Sequence, residues 1–136
     1  MSLKDRADFG ARLKDRETGG AVIAVIGPRI VGYVIVSWSG ADEDQVRRLA
    51  PDVPLMFCLR VDERYRCRGI GTRLVQRAEA LLAERGFDRV LIGVDHANER
   101  ARRLYQALGY RTVDGLGRLG AEGESYEVMA RATARA

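Results

Sequence analysis

The segment from Leu55 to Gly109 constrains the fold more than any other part of this sequence. It opens with the apolar run "LMFCLRV", and from Thr72 onward its apolar residues recur on one face at helical spacing. A second apolar run, from Arg89 to Val94, is followed by a second helical pattern. Strand and helix therefore alternate twice in this segment, which is typical of a mixed α/β fold.

Both flanks of that segment have the composition of β-strands. Two runs rich in β-branched residues, Ala21–Ile26 and Val31–Trp38, are joined by a Gly-Pro turn and predict a β-hairpin. On the C-terminal side, strands are predicted near Tyr110–Val113 and over Ser125–Ala130. These two strands bracket a glycine-rich loop at Gly115–Gly123.

The two predicted helices have recognisable ends. Gly86 is a C-terminal stop signal for the first helix, whereas Asn98 precedes the second as an N-cap and Gly109 ends it. A shorter helical turn is expected at Glu43–Leu49. The apolar positions that define the helices are Leu74, Val75, Ala78, Leu81 and Leu82 in the first and Ala101, Leu104, Tyr105 and Leu108 in the second.

Length and composition limit the classes of protein to which this chain can belong. The 136 residues predict one domain, 1–136, and 46% apolar with 31% charged residues is typical of a soluble globular protein. No apolar run approaches the ~20 residues of a membrane span and the N-terminus is too charged for a signal peptide, so we expect no membrane partner and a cytoplasmic location. Cys58 and Cys67 form no pair or cluster with histidine, so neither a disulfide framework nor a metal site is indicated.

The net charge of +4 comes almost entirely from arginine, since Lys4 and Lys14 are the only lysines. Such a surplus is compatible with a nucleic acid, with a phosphorylated ligand or with a general preference for arginine. Trp38 and the tyrosines are not interleaved with a basic stripe, so we expect no nucleic-acid partner.

One junction concentrates positive charge and glycine. Between the first apolar run and the first helix, "YRCRGIGTRL" combines Arg66, Arg68 and Arg73 with glycines at positions 69 and 71. The first turn of a helix leaves backbone N–H groups unpaired, and glycine lets a phosphate approach them closely, so this is a candidate anion site. The simpler interpretation is a glycine-containing turn with solvated arginines. A Walker loop and a dinucleotide fingerprint are excluded, because the first needs Gly-Lys-Ser/Thr and the second a third glycine.

Two short motifs stand at the starts of the two predicted helices. The first consists of Arg66, Gly69 and Gly71, and the second is "NERARRLYQALGY" from Asn98 to Tyr110. Together they resemble the GNAT superfamily of acyl-CoA N-acyltransferases. That family carries Arg/Gln-x-x-Gly-x-Gly/Ala opening one helix and Asn-x-x-Ala-x-x-Leu-Tyr-x-x-x-Gly-Phe/Tyr on a later one.

The resemblance implies a fold and a cofactor. The fold would be a mixed, mostly antiparallel sheet flanked by helices, with two splayed central parallel strands, here the strand ending at Leu59–Val61 and the strand at Arg89–Val94. The pantetheine arm of coenzyme A or acetyl-CoA would lie between them, and backbone amides of residues 66–72 would hold its pyrophosphate. The implied cofactor-binding residues are Leu59, Val61, Arg66, Cys67, Arg68, Gly69, Ile70, Gly71, Thr72, Asn98 and Tyr105.

The resemblance also implies a reaction, the transfer of acetyl from acetyl-CoA to a primary amine by direct attack. Tyr105 would be the catalytic acid that protonates the departing thiolate, and the backbone N–H of Val61 would stabilise the thioester carbonyl oxygen. Phenol and thiol pKa values near 10 and 8.5 are close enough for this transfer. Without the motif, Tyr105 would be interpreted as a core aromatic residue. Asn98 is equally an N-cap and a contact for the cofactor arm.

The sequence departs from the family where many members carry a catalytic base. They place a glutamate on the strand before the first motif, but the stretch here reads "MFCL". His96, Glu63 and Asp95 are more simply interpreted as solvated loop residues. The missing carboxylate leaves a second hypothesis open, a non-catalytic sensor domain that binds acyl-CoA.

The other departure concerns the N-terminus. The family has a strand and two helices before the hairpin, whereas about 20 residues precede Ala21, so we expect truncated N-terminal elements. The acceptor, a small-molecule or peptide amine, would then bind in an open groove or in one closed by a second subunit. A homodimer that buries the apolar hairpin is the expectation that follows.

Overall fold

The computed structural model describes residues 19–38, 46, 48, 50, 52–116 and 125–133. Within these residues the chain forms strands and helices in the order that the sequence predicts, with a short 3₁₀ turn, Glu63–Tyr65, after the third strand. The elements are β1 Gly19–Ile26, β2 Arg29–Ser37, β3 Leu55–Val61, α1 Ile70–Glu84, β4 Arg89–Asp95, α2 Glu99–Ala107, β5 Arg111–Thr112 and β6 Tyr126–Ala132.

The six strands of the described residues form one sheet in the order β1-β2-β3-β4-β6-β5. Every neighbouring pair is antiparallel except β3 and β4, which run parallel. The mixed, mostly antiparallel sheet expected from the sequence is therefore confirmed. The β1–β2 hairpin turns at residues 27 and 28, where Gly27 adopts a φ of +59° that favours glycine.

Both helices pack on one face of the sheet. The apolar face of α1 and Tyr105 of α2 bury against alternate residues of β2 and β4, such as Val34 and Ile92. Intervening residues, such as Leu91, face the other side and pack in a second cluster with Val46. Among the described residues, no helix is long and apolar enough to cross a membrane.

The parallel strands at the centre of the sheet separate after a short contact. The register between β3 and β4 consists of two pairs, Leu55↔Leu91 and Met56↔Ile92. From Phe57 onward β3 stays on β2 and no longer pairs with β4. The expected splay is thus present, and it opens a gap between the ends of the two strands.

Several element boundaries differ from the sequence predictions. The first helix begins at Ile70, two residues before the predicted Thr72, because Gly69 takes the left-handed φ of +78° that precedes the helix. The strand predicted at Tyr110–Val113 is paired only over Arg111–Thr112. Of the helical turn at Glu43–Leu49, only positions 46 and 48 are described, and both are helical. Most of the glycine-rich loop and the whole segment before Gly19 lie outside the described residues, so the expected truncation stays a prediction.

The hairpin exposes apolar side chains, as expected from its sequence. Ile23, Val25 and Ile26 are 37%, 57% and 48% exposed. They line a groove against α1 that also includes Arg73 and Arg77. The homodimer that would bury this surface stays a prediction.

Candidate active site

The first turn of α1 opens onto a cleft of about 580 Å³. The cleft lies between the end of β3, the loop before α1 and the first turns of both helices. It is lined by Leu59, Arg60, Val61, Tyr65, Arg66, Cys67, Gly69, Ile70, Gly71, Thr72, Asn98, Arg100, Ala101 and Leu104. The structure therefore brings together nine of the residues expected from the sequence to bind the cofactor.

The start of α1 offers backbone donors to this cleft. The first hydrogen bond into the helix runs from the N–H of Arg73 to the carbonyl of Gly69, at 3.1 Å. The N–H groups of Ile70, Gly71 and Thr72 therefore have no partner within the helix, and no side chain of the described residues caps the start of α1. Unpaired N–H groups at the positive end of the helix dipole form an anion-binding site.

The loop before α1 is held by its own backbone geometry. The Asp62 carboxylate accepts a hydrogen bond from the N–H of Arg64, at 3.0 Å. That bond lowers the pKa of Asp62 below its usual value. Cys67 and Gly69 both adopt positive φ angles, +62° and +78°. These turns reverse the chain so that the helix begins facing the cleft.

The two motif glycines have different roles. A Cβ on Gly69 would meet nothing within 4 Å, so this position needs glycine for its left-handed backbone. A Cβ on Gly71 would lie 3.5 Å from Leu104 and 3.8 Å from both Leu59 and Val61. It would occupy the space between the walls of the cleft, where a ligand must approach the backbone.

The three arginines of the junction do not all line this cleft. Arg66 lines the cleft, but Arg68 stacks its guanidinium 5.3 Å from the centre of the Tyr65 ring. Arg73 lines the groove beside the hairpin, on the other side of α1. Arg100, in the first turn of α2, contributes the positive charge that Arg73 was expected to supply.

A second cleft, of about 470 Å³, continues from the first. The two share Leu59, Arg60, Asn98 and Ala101, so they form one path along the open edge of β3. The other residues that line the second cleft are Cys58, Gly93, Val94, Asp95, Ala97 and Tyr105.

A bulge at Cys58 changes which peptide groups of β3 face the gap. At the start of the strand, the parallel register Met56↔Ile92 directs the peptide groups of Met56 toward β4. The pairing of β3 with β2 then shifts between Tyr33 and Ile35, opposite Cys58, whose φ is +54°. One extra residue on the bulged strand reverses the alternation that follows it.

Beyond the bulge, the peptide groups of Leu59 and Val61 face the gap. The N–H of Asp62 donates to the Val31 carbonyl on β2, at 2.7 Å. Successive peptide groups of a strand point to opposite sides, so Arg60 also faces β2 while Leu59 and Val61 face β4. No residue of β4 pairs with them in the described part of the chain. They provide N–H and C=O groups for an extended ligand.

Tyr105 reaches the second cleft from the buried side of α2. The residue is 2% exposed, and its ring lies 6.0 Å from that of Tyr110, centre to centre. No hydrogen bond joins its hydroxyl to another described residue. Burial, and then the charge of Cys58, raise the pKa of Tyr105 above its usual value. The phenol is therefore a weaker acid than the sequence-based comparison with a thiol assumed.

Asn98 caps α2 and also lines the clefts. Its side-chain oxygen accepts a hydrogen bond from the N–H of Ala101, at 3.1 Å, which confirms the N-cap. Asn98 also lines both clefts, so a contact with the cofactor arm stays a prediction.

Among the described residues that line the second cleft, Asp95 is the one carboxylate. Its oxygen accepts a hydrogen bond from the N–H of Ala97, at 2.8 Å. Glu63 and His96 line neither cleft. The N–H of His96 instead donates to the carbonyl of Ser125, at 3.1 Å.

Sequence reasoning missed several residues that line the clefts. Arg60, Tyr65 and Arg100 do not occupy a defined position of either motif. Arg100 nevertheless lies two positions after Asn98, in the first turn of α2. Gly93 stands in the middle of β4, and a Cβ there would meet nothing within 4 Å. A glycine inside a buried strand is a sign of a close backbone approach, and this sign was available in the sequence.

Known proteins resemble this chain in sequence. The sequence model of the acetyltransferase (GNAT) family matches residues 2–110. An N-alpha-acetyltransferase of Sulfurisphaera tokodaii is 31% identical over 125 residues, which cover 90% of this chain and 74% of that protein. N-alpha-acetyltransferase 30 of Xenopus laevis is 40% identical over 52 residues, but these cover 38% of this chain and only 19% of that protein.

A solved structure has the same fold. The crystal structure of Arabidopsis thaliana NAA60 in complex with a bisubstrate analogue superimposes with a TM-score of 0.70 and 21% identity, over 93% of this chain and 82% of that one. With the match over residues 2–110, the chain belongs to the acetyltransferase (GNAT) family.

Proposed function

We propose that this protein transfers the acetyl group of acetyl-CoA to a primary amine, by direct attack of the amine on the thioester. Family membership and relatives named as N-alpha-acetyltransferases support acetyl transfer. The observation that carries the proposal is the continuous path from the unpaired amides of α1, along the open edge of β3, to Tyr105.

The residues of this path fit coenzyme A. The N–H groups of residues 70–72 suit its pyrophosphate, and Arg66 and Arg100 add positive charge. The peptide groups of Leu59 and Val61 suit the two amides of the pantetheine arm, because both sides offer donors and acceptors. When bound, acetyl-CoA supplies an activated acyl group whose leaving group is a thiolate.

The second cleft contains groups suited to the chemical step. The backbone N–H of Leu59 can hold the carbonyl oxygen as negative charge develops on it. Leu59 lines both clefts whereas Val61 lines only the first, so Leu59 replaces Val61 in this role. The Tyr105 phenol can give its proton to the sulfur, and its raised pKa keeps it protonated throughout the neutral range.

The described residues that line the second cleft include a single carboxylate, which favours an acceptor that loses its proton easily. Deprotonating a lysine side chain at pH 7 costs about 4.6 kcal/mol, whereas an α-amine costs only about 1 kcal/mol. Asp95 is the carboxylate positioned to accept that proton, directly or through water. We therefore place the acceptor in the class of α-amines, which agrees with the name of the Sulfurisphaera tokodaii relative.

Calorimetry and a thiol-release assay test the proposal together. Calorimetry should give micromolar or tighter binding of coenzyme A. Two peptides of the same sequence, each with one lysine, are compared. Thiol release from acetyl-CoA should be faster with the peptide that has a free N-terminus than with the one acetylated at its N-terminus, whose only amine is the lysine side chain. Binding without turnover on any amine would favour the acyl-CoA sensor. Absence of binding would refute both functions.

A further inference from the structure

We propose that Cys58 is a modification site at which the thiol of coenzyme A is captured as a mixed disulfide when the protein meets a hydroperoxide. The inference rests on the proposed function, because it requires coenzyme A to lie along the two clefts. It extends that function by giving the second cleft a redox chemistry of its own.

The position of Cys58 supports this proposal. Cys58 is exposed, is not in a disulfide and lines the second cleft together with Tyr105. It sits at the bulge of β3, immediately before Leu59, the first residue whose peptide groups face the gap. A ligand that follows the open edge of β3 into the second cleft therefore ends beside the Cys58 thiol.

A second observation indicates that a polar ligand atom belongs in the same cleft. The side chain of Tyr105 is almost fully buried and lines this cleft, yet no described residue forms a hydrogen bond with its hydroxyl. The hydroxyl oxygen is not among the fully buried atoms that lack a partner, so it is open to the cleft, where a polar ligand atom can bond with it. Cys58 and Tyr105 line this same cleft. A coenzyme A sulfur that reaches Tyr105 is thus also near Cys58.

The chemistry balances with one equivalent of peroxide. The Cys58 thiolate attacks one oxygen of hydrogen peroxide, which gives a sulfenic acid and, after proton transfer, one water. The thiol of bound coenzyme A then attacks the Cys58 sulfur, forms the S–S bond and releases a second water. Both sulfur atoms are oxidised and peroxide is reduced. The product occupies the cleft, so it blocks acetyl transfer until a thiol reductant regenerates both thiols.

The chain contains its own control. Cys67 is the only other cysteine, and it is also exposed, but it lines the first cleft, at the phosphate end of the path. A small thiol such as glutathione can reach both residues from solvent. Coenzyme A held in the clefts carries its thiol away from Cys67 and toward Cys58.

Intact-protein mass spectrometry with peptide mapping tests the proposal on the wild-type protein, Cys58→Ser and Cys67→Ser. Each protein is incubated with micromolar hydrogen peroxide and either coenzyme A or glutathione. We expect one coenzyme A on Cys58 in the wild type and in Cys67→Ser, none in Cys58→Ser, and reversal by dithiothreitol. Binding raises the local thiol concentration to roughly millimolar, so with each thiol at about 100 µM coenzyme A should label Cys58 about 10-fold faster than glutathione does.

Two results would overturn the proposal. One is equal labelling of Cys58 and Cys67 by coenzyme A, and the other is labelling of Cys58 no faster by coenzyme A than by glutathione. Calorimetry with coenzyme A in the presence of reductant separates the two levels of inference. If coenzyme A binds and the adduct does not form, only the role of Cys58 fails, whereas if coenzyme A does not bind, the proposed function fails with it.

Discussion

Replacing Tyr105 with phenylalanine separates chemistry from packing, because the ring is buried and the hydroxyl has no partner among the described residues. Phenylalanine keeps the contact of the ring with Tyr110 and fills the same place in the core. There is no hydrogen bond to lose, so the free energy of unfolding should stay within about 1 kcal/mol of wild type. Loss of turnover without loss of stability is the result expected if the phenol is the acid.

The magnitude follows from the pKa values of the two groups. A phenol at about 10 and a thiol at about 8.5 differ by roughly 1.5 units, so the proton transfer is uphill by about 2 kcal/mol. Burial and the charge of Cys58 raise the pKa of Tyr105 further, which increases this cost. General acids usually contribute about 10²- to 10⁴-fold, and the uphill transfer places Tyr105 at or below the lower end. We expect kcat to fall about 10- to 100-fold, with little change in coenzyme A affinity.

The assay is steady-state thiol release with an accepted amine, accompanied by calorimetry with coenzyme A and by thermal unfolding. Tyr110→Phe is the matched control, because Tyr110 is also 2% exposed and its buried hydroxyl also has no partner among the described residues. Tyr110 lines neither cleft, so its replacement should leave kcat unchanged. Wild-type kcat in Tyr105→Phe, or equal losses in the two variants, would refute the assignment of Tyr105 as the acid.

Three further substitutions test the path and the core. Gly71→Val should weaken coenzyme A binding at least ~10-fold by calorimetry, because even a Cβ at this position meets the walls of the cleft; unchanged affinity in a folded variant would contradict the phosphate site. Gly93→Val places its side chain in open space within the second cleft, so thermal unfolding should show no loss of stability. The side chain would occupy space that acetyl-CoA needs, so kcat/KM for acetyl-CoA should fall about 10-fold or more. A destabilised protein with normal kcat/KM would contradict this. Burial raises the pKa of Glu79 despite its 2.6 Å ion pair with Arg131, so the folded state holds this proton more tightly than the unfolded state. The stabilisation from this tighter proton binding is fully present below the ordinary pKa of about 4.5 and is lost as the pH rises above that value. Tm should therefore fall less steeply with pH in Glu79→Gln than in the wild type over this range. Parallel Tm profiles for the two proteins would disprove the linkage.

Local signals in the sequence located most elements because they act over a few residues. Asn98 caps α2 through its own side chain, and Gly86 and Gly109 adopt the positive φ angles that end the helices. The hairpin likewise follows from β-branched runs around a turn that includes Gly27. These features depend on backbone conformation close to the residue concerned.

The bulge of β3 could not be read from the sequence. "LMFCLRV" contains no glycine or proline, yet Cys58 adopts a φ of +54°. This conformation is unfavourable for a side chain with a Cβ, so contacts with β2 and with the core must stabilise it. The same bulge decides that Leu59 and Val61 face the gap. The open edge of β3 is therefore a tertiary feature, and the binding of the cofactor along it stays a prediction.

The placement of Arg73 could not be predicted from its spacing in the helix. Successive residues of a helix are about 100° apart, so Arg73 lies about 200° around α1 from Gly71. Ile70 and Thr72 are separated by the same angle, yet both line the first cleft, whereas Arg73 lines the hairpin groove. Which side chains of the first turn share the cleft depends on how α1 packs against the sheet, and this packing is a tertiary feature.

The charges along the path orient a ligand before any chemistry begins. The described residues that line the first cleft include Arg60, Arg66 and Arg100 and no carboxylate, and the dipole of α1 adds to their potential. The second cleft has Arg60 balanced by Asp95, and its end is formed by the buried phenol of Tyr105. An anionic head group is favoured at one end and a neutral thioester at the other. Because the peptide groups of Leu59 lie between these ends, the proposed coenzyme A would bind with its phosphates in the first cleft and its sulfur beside Tyr105.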